Sequence, residues 1–153
     1  MNALNEDELK LFVDSVRNYF KVTTGQEPKI TSAFLANGDV PGHEYNGIVS
    51  FSGSYNGQVM VSMPEQLLRE VLLLQGETDL SDAHLLDAVG EIANTLAGNA
   101  RKHFGPGLGI SVPIKIMGGT GITARVRERP YAITLRWGPL PALVCVDLAR
   151  RSI

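Results

Sequence analysis

Apolar residues recur every three or four positions along three stretches of the chain, and this spacing predicts three amphipathic helices. Signals for helix ends agree with the pattern, because residues that favour helix starts precede each stretch and glycines follow it. The predicted helices are 6–22, with Asn5 as N-cap, Glu8 completing a capping box and Gly25 after its end; 64–76, with Pro64 in the first helical position; and a long third helix between Ser81 and Gly105.

Alternating apolar and polar residues predict β-strands in the rest of the chain. In GIVSFSGSYNGQVMVSM, two such runs stand on either side of Asn56-Gly57, and this dipeptide is the strongest short signal for a hairpin turn. Residues 37–47 have the composition of a loop. The other predicted strands are KITSAFLA at 29–36, ISVPIKIM at 110–117, ITARVRE at 122–128, YAITLRW at 131–137 and ALVCVDLA at 142–149.

The order of these elements is helix, strands, two helices and strands. This order favours an α+β fold in which helices, one of them long, pack on a largely antiparallel sheet. A chain of 153 residues can bury a core of its own, so we expect residues 1–153 to form a single domain. An open antiparallel sheet has edges that need to be covered, and we therefore also expect homodimerisation through the sheet.

Composition and charge narrow the class of protein. The net charge of -2 gives no basic surface for nucleic acid, and no apolar run is long enough to span a bilayer. The acidic start MNALNEDELK lacks the layout of a signal peptide, so we expect a cytoplasmic protein that does not bind a membrane. The single cysteine, Cys145, lies in an apolar strand-like run and is expected to be a buried, inert thiol. The three histidines lack metal-ligand spacing, and we expect no metal or cofactor of the protein's own.

The third helix carries an unusual polar face in GEIANTLAGNARK. At about 100° per residue, Asn94 lies about 60°, Asp87 about 40° and Gly98 about 20° from Glu91, while apolar residues cluster on the opposite side. Glu91 and Asn94 are therefore predicted to be exposed neighbours, one turn apart. Two helical glycines, Gly90 and Gly98, each cost about 1 kcal/mol relative to alanine, which suggests a surface kept open for close approach.

The chemistry of this face admits more than one interpretation. A carboxylate such as Glu91 can pair with a partner's lysine, and a carboxamide such as Asn94 can orient a water molecule without deprotonating it. On spacing alone, an ordinary solvated helix face explains the same residues. Asp87 fits either a docking contact or plain helix surface, and His84, two turns before Glu91, could edge a partner surface. Asn99, at the flank, is expected to have a structural role.

GEIANTLAGNARK resembles the helix signature of the CheC/CheX/FliY family of chemotaxis phosphatases. The preceding GIVSFSGSYNGQVMVSMPEQLLREVL, the SVP segment and the final strands fit the family's order as well. CheC-like members carry two E-x-x-N motifs, whereas this chain has one and its first helix reads DSVRN, so it resembles CheX most. CheX-like proteins are homodimers, so the resemblance implies a homodimer. The expected single domain resembles a FliY-like flagellar switch component less.

The resemblance implies a phosphatase that hydrolyses the aspartyl phosphate of a CheY-type response regulator. Glu91 would contact the regulator's active-site lysine, and Asn94 would orient the attacking water. Helix geometry places Asp87 and Gly98 on the same face, and we expect them at the partner-binding surface. The receiver domain would supply the acyl phosphate, its Mg²⁺ and the lysine. The alternative is a non-catalytic module that binds a response regulator or a flagellar switch protein. The sequence names neither the regulator nor the pathway.

Overall fold

The computed structural model describes residues 2–3, 5–36, 40–118, 123–124 and 130–150, with 2–3 and 123–124 described by their backbone only. Three helices and ten strands lie within these ranges. The helices are α1 Glu6–Thr24, α2 Glu65–Leu74 and α3 Asp82–Phe104; the strands are β1 Asn2–Ala3, β2 Lys29–Leu35, β3 Val40–Pro41, β4 Tyr45–Gly53, β5 Tyr55–Met63, β6 Leu108–Ile110, β7 Ile114–Met117, β8 Thr123–Ala124, β9 Tyr131–Trp137 and β10 Leu140–Arg150.

The larger sheet is antiparallel throughout the described residues, with the strand order β2-β9-β10-β5-β4-β6. Strand β7 also pairs with β4, and β1 pairs with β10, while β3 and β8 form a small separate pair. The apolar faces of all three helices join one face of this sheet in the main core. A second, smaller cluster, which includes Cys145, lies apart from this core. The predicted α+β fold is confirmed.

The helix ends follow the signals in the sequence closely. The Asn5 side chain accepts a hydrogen bond from the Glu8 backbone N–H, and the Glu8 carboxylate accepts one from the Asn5 N–H, so the predicted capping box is present. Gly25 ends α1 in the left-handed conformation, although the helix runs two residues further than predicted. Pro64 is the N-cap of α2 rather than its first helical residue. These differences of one or two residues leave the packed faces unchanged.

The predicted hairpin turn at Asn56-Gly57 is wrong. Strands β4 and β5 turn around Ser54, and Gly57 lies inside β5, opposite Phe51 on one side and Leu148 on the other. A Cβ built at Gly57, where φ is 144°, would lie 1.7 Å from the carbonyl oxygen of Asp147. The glycine is therefore explained by the close approach of β10 and not by a turn.

Two further sequence predictions are corrected by strand pairing. Residues 37–47 are not simply a loop, because 40–41 pair with 123–124 and β4 already begins at Tyr45. The single strand predicted at 110–117 is two strands, β6 and β7, which pair with different parts of β4. Of the strand predicted at 122–128, only Thr123–Ala124 lies within the described residues.

Helix α3 packs unusually close to β4, and Gly47 is the reason. A Cβ at Gly47 would lie 2.4 Å from the Val89 carbonyl oxygen and 3.0 Å from the Gly90 Cα, both backbone atoms of α3. Neither atom can move without shifting the helix, so the site is closed to any side chain. The absence of a side chain at position 47 thus sets the distance at which α3 lies over the sheet.

Replacing Gly47 by alanine is expected to lower the free energy of unfolding by about 1–3 kcal/mol, because the added methyl group forces α3 away from β4. Urea denaturation followed by circular dichroism measures this loss. Gly98→Ala is the matched control, since a Cβ at Gly98 meets nothing within 4 Å and alanine favours the helix. A Gly47→Ala protein as stable as the wild type would contradict the close-packing account.

Candidate functional site

Helix α3 presents one buried and one exposed face, as the apolar periodicity predicts. Its 23 residues run from the N-cap Ser81, whose hydroxyl accepts a hydrogen bond from the His84 N–H, to Gly105. Every third or fourth residue is buried in the main core, and Asp87, Glu91 and Asn94 are exposed on the opposite side. The buried residues of the helix are Leu85, Val89, Gly90, Ile92, Ala93, Leu96, Ala97 and Ala100.

Glu91 and Asn94 both have side chains free to bind another molecule. Within the described part of the chain, neither side chain makes a hydrogen bond or an ion pair. The Thr95 hydroxyl donates to the backbone carbonyl oxygen of Glu91 at 2.9 Å, which does not involve the carboxylate. The predicted exposed pair is therefore present, and within the described residues neither its carboxylate nor its carboxamide is hydrogen-bonded.

Glu91 lies on a ridge between two depressions. On one side, a groove of about 530 Å³ runs between α3, α1 and the end of α2, and its lining includes Tyr19, Gln75 and His84. On the other side, a shallow pocket of about 240 Å³ opens towards β7 and is lined by residues that include Pro113 and Lys115. Asp87 and Glu91 border both depressions. A partner docking on this face would meet a ridge of two carboxylates.

The larger groove carries more negative than positive charge. His84 places Nε2 3.4 Å from Glu77 Oε2 and Nδ1 3.9 Å from Asp79 Oδ2. The backbone N–H of Ser81 lowers the pKa of Asp79. Burial raises the pKa of Tyr19, which also lines this groove. His84 thus lies at the edge of the candidate surface, where the sequence suggested it could.

Asp87 forms an ion pair with a residue of the same chain. Lys115 of β7 donates from Nζ to Asp87 Oδ1 at 2.5 Å, and this contact lowers the pKa of the Asp87 carboxyl. The periodicity of α3 placed Asp87 on the exposed face but said nothing of this partner, which lies 28 residues further along the chain. The only sequence signal was a lone lysine between two isoleucines in a predicted strand.

The two glycines of α3 differ in their surroundings. Gly98 is open, since a Cβ there would meet nothing within 4 Å, and it lies on the exposed side as predicted. Gly90 is buried: a Cβ there would lie 2.8 Å from Lys115 Cγ and 3.5 Å from Pro113 Cβ. The interpretation that both glycines keep the outer surface open is therefore wrong for Gly90, whose place is taken by the stem of Lys115.

Asn99 has a structural contact. Its Nδ2 donates to the Ser15 hydroxyl at 2.8 Å and so joins α3 to α1. This agrees with the structural role expected for it.

Cys145 is fully buried in the smaller apolar cluster, as expected, and burial raises the pKa of its thiol to about 12. In the ranges that the structure covers, no three His, Cys, Asp or Glu side chains are grouped so that they could hold a metal ion. None of the described helices is both long and apolar enough to cross a membrane.

The family of this chain is defined by a sequence comparison. The family model described as chemotaxis phosphatase CheX matches residues 45–136, more than half of the chain and the part that contains β4, β5, α2 and α3. The chain belongs to this family. No curated protein sequence matches it at a significant level.

Solved structures share its fold over nearly their whole lengths. A CheC-like superfamily protein from Shewanella sp. PV-4 superposes with a TM-score of 0.83 at 22% identity, covering 95% of this chain and 99% of that one. The chemotaxis protein CheX from Vibrio vulnificus gives 0.80 at 20% identity, with 94% and 99% covered. CheX from Borrelia burgdorferi, in a CheX–CheY–BeF₃–Mg²⁺ complex, gives 0.70 at 17% identity, with 95% and 100% covered.

Proposed function

We propose that this protein is a phosphatase that hydrolyses the aspartyl phosphate of a CheY-type response regulator. The observation that carries the proposal is the exposed face of α3, on which Glu91 and Asn94 stand one turn apart with no partner among the described residues. Membership of the chemotaxis phosphatase family supports the activity. The Borrelia complex of a similar fold with a CheY supports the class of partner.

Glu91 is assigned to holding the regulator. Its carboxylate stands on the ridge between two depressions and can reach a cation on an approaching surface. The active-site lysine that the family resemblance implies in the receiver domain is such a cation. A charge-assisted hydrogen bond between the two is stronger than a neutral one, and it would set the register in which Asn94 meets the phosphoryl group.

Asn94 is assigned to orienting the water. The water oxygen attacks phosphorus opposite the aspartyl oxygen, so that one P–O bond forms as the other breaks. Inorganic phosphate leaves, the aspartate regains its carboxylate, and the proton released by the water passes to phosphate or solvent. A carboxamide takes no proton in this step, because it only donates and accepts hydrogen bonds. Its contribution is to hold the water in line, which is what phosphoryl transfer chiefly requires.

The other chemical groups are assigned to the regulator. Its Mg²⁺ and its lysine would neutralise charge on the phosphoryl oxygens, while this chain brings the water and the docking carboxylate. We expect the protein to do this as a single domain in the cytoplasm.

The test is the decay of aspartyl phosphate on the CheY-type receiver domains of the host. Each receiver is phosphorylated beforehand with a small phosphodonor, and its decay is followed alone and with this protein. Accelerated decay of at least one receiver is the expected result. Binding to a receiver activated by beryllofluoride and Mg²⁺, with no acceleration of decay, would instead favour a non-catalytic binding module. If the protein neither binds a receiver nor accelerates its decay, both the phosphatase and the binding-module hypotheses are overturned.

Gly98 offers a test of how closely the regulator approaches. Gly98→Ala is expected to raise the free energy of unfolding by about 1 kcal/mol, because the site is open and alanine is the better helix former. We expect the same change to weaken regulator binding, since a methyl group would protrude from the helix surface one turn beyond Asn94, where the glycine has no side chain. Thermal unfolding and a titration with the activated receiver measure the two effects. A more stable variant with unaltered binding would remove Gly98 from the docking surface.

We further propose that the protein is a homodimer joined through its sheet. Strand β7 pairs only with β4 among the described residues, and Ile114, Ile116 and Met117 along it are 53%, 42% and 51% exposed. Light scattering at micromolar concentration is expected to give twice the chain mass. Ile116→Lys should shift the mass towards the monomer, because a charge on an edge strand opposes pairing. A monomeric wild type would contradict the proposal.

A further inference from the structure

Lys115 takes an unusual course across helix α3. It projects from β7, and its stem occupies the space that a side chain at Gly90 would need, with Cγ 2.8 Å and Cδ 2.9 Å from the position of a Cβ there. Its ammonium ends at Asp87, one turn before Glu91 on the same helix. A basic side chain of the protein itself therefore crosses the helix beside the proposed docking carboxylate.

The ammonium has two carboxylates available to it. Asp87 and Glu91 are four residues apart, so their side chains are neighbours on the helix surface. Both line the shallow pocket that Lys115 also lines. In the structure the ammonium pairs with Asp87, and Glu91 has no ion pair among the residues described. Glu91 is thus kept free although a cation of the same chain lies close by.

We propose that Asp87 is a positioning residue that holds the Lys115 ammonium away from Glu91, so that Glu91 stays available to a cation of the regulator. This inference rests on the proposed function of Glu91. It replaces the expectation that Asp87 itself binds the partner: Asp87 acts through Lys115.

The packing explains why Lys115 needs such a restraint. The Cγ and Cδ atoms of its stem cover Gly90, so turning the side chain into solvent would expose that contact. In this position its charged end lies at the acidic ridge of α3, beside Asp87. Without the Asp87 carboxylate, the nearest remaining anion lining the same pocket is Glu91. Lys115 would then compete with the regulator's lysine and would also repel it.

The size of the effect follows from the strength of exposed ion pairs. Such pairs form with equilibrium constants of about 1.4 to 5. A Glu91 that pairs with Lys115 to this extent is free only part of the time, and the apparent affinity for the regulator falls by the same fraction. Asp87→Asn is therefore expected to raise KM for the phosphorylated receiver by about two- to sixfold. The turnover number should not change, because Asn94 is unaltered.

The experiment compares Asp87→Asn, Lys115→Met and the double variant with the wild type, on the receiver domain whose decay the wild type accelerates. Methionine keeps an apolar stem over Gly90 and removes the charge. We expect Lys115→Met to have a KM no higher than that of the wild type. The double variant should regain the wild-type KM, since the competing cation is gone.

Other roles for Asp87 give different patterns. If Asp87 binds the regulator directly, Asp87→Asn raises KM and the double variant does not recover. If the ion pair only fastens β7 to α3, Lys115→Met raises KM as much as Asp87→Asn does. Either result overturns the inference, and so does an Asp87→Asn protein with the KM of the wild type.

A second readout does not depend on activity. A crystal structure of the Asp87→Asn protein alone should place Lys115 Nζ within 4 Å of a Glu91 carboxylate oxygen. An ammonium that instead stays beside residue 87 or turns into solvent would refute the positioning role. If the wild type accelerates no receiver, the proposed function fails, whereas this structural result can still stand or fall independently.

Discussion

Replacing Asn94 by alanine is expected to abolish the acceleration of aspartyl phosphate decay. The side chain is exposed and has no hydrogen bond within the described residues, so its loss breaks no hydrogen bond there. The water loses its orienting group, and misplacing a reacting group by about 1 Å can cost about 10²-fold in rate. Decay measured at saturating protein should therefore return to the rate of the receiver alone.

The Asn94→Ala protein should be more stable than the wild type although it is less active. Alanine is the better helix former, so Asn94→Ala is expected to raise the free energy of unfolding by about half a kcal/mol and not to lower it. Asn18→Ala is the matched control, because Asn18 is also an exposed asparagine on a helix, α1, and lies outside the proposed site. The control should keep full activity. Full activity in Asn94→Ala would show that the assigned mechanism is wrong.

Reversing the charge of Glu91 is expected to disrupt regulator binding. Glu91→Lys replaces an attraction to the regulator's lysine by a repulsion, and such a change at a close charge pair costs several kcal/mol. The apparent affinity for the activated receiver should fall at least about 30-fold, with the deficit largest at low salt, where charges are least screened. Titration of a beryllofluoride-activated receiver at two salt concentrations measures both effects.

Asp14→Lys is the control for Glu91→Lys. Asp14 is exposed in the middle of α1, and its reversal changes the net charge of the protein by the same amount. An equal loss of affinity in both variants would indicate a general charge effect and would remove Glu91 from its assigned role. A loss confined to Glu91→Lys, together with a retained turnover number at saturation, would separate docking by Glu91 from water orientation by Asn94.

The exposed pair on α3 was predictable because it depends only on local geometry. Residues 91 and 94 are a fixed angle apart on any α-helix, and the apolar stripe decides which side is buried. The caps of α1 and α3 are local for the same reason, since a cap side chain bonds a backbone group within three residues. The resemblance that assigned chemistry to the pair was likewise carried by contiguous residues of this helix.

The two glycine predictions that failed involve residues distant in the chain. The dipeptide Asn56-Gly57 predicts a turn, whereas the carbonyl oxygen of Asp147 on β10 is what excludes a side chain at Gly57. The position of Gly90 beside Glu91 on the helix predicts an open surface, whereas the stem of Lys115 covers this glycine. The presence of a glycine in the sequence does not show whether a turn, an open surface or a close tertiary contact requires it.

The sequence by itself determined the three helices, the α+β class, the buried thiol of Cys145 and the exposed Glu91 and Asn94, because each follows from periodicity or from contacts within one turn. Only the tertiary structure decided the hairpin register, the division of 110–117 into two strands and the ion pair of Asp87 with Lys115. These depend on which strand lies beside which helix. That choice is made by packing between segments that are far apart in the chain.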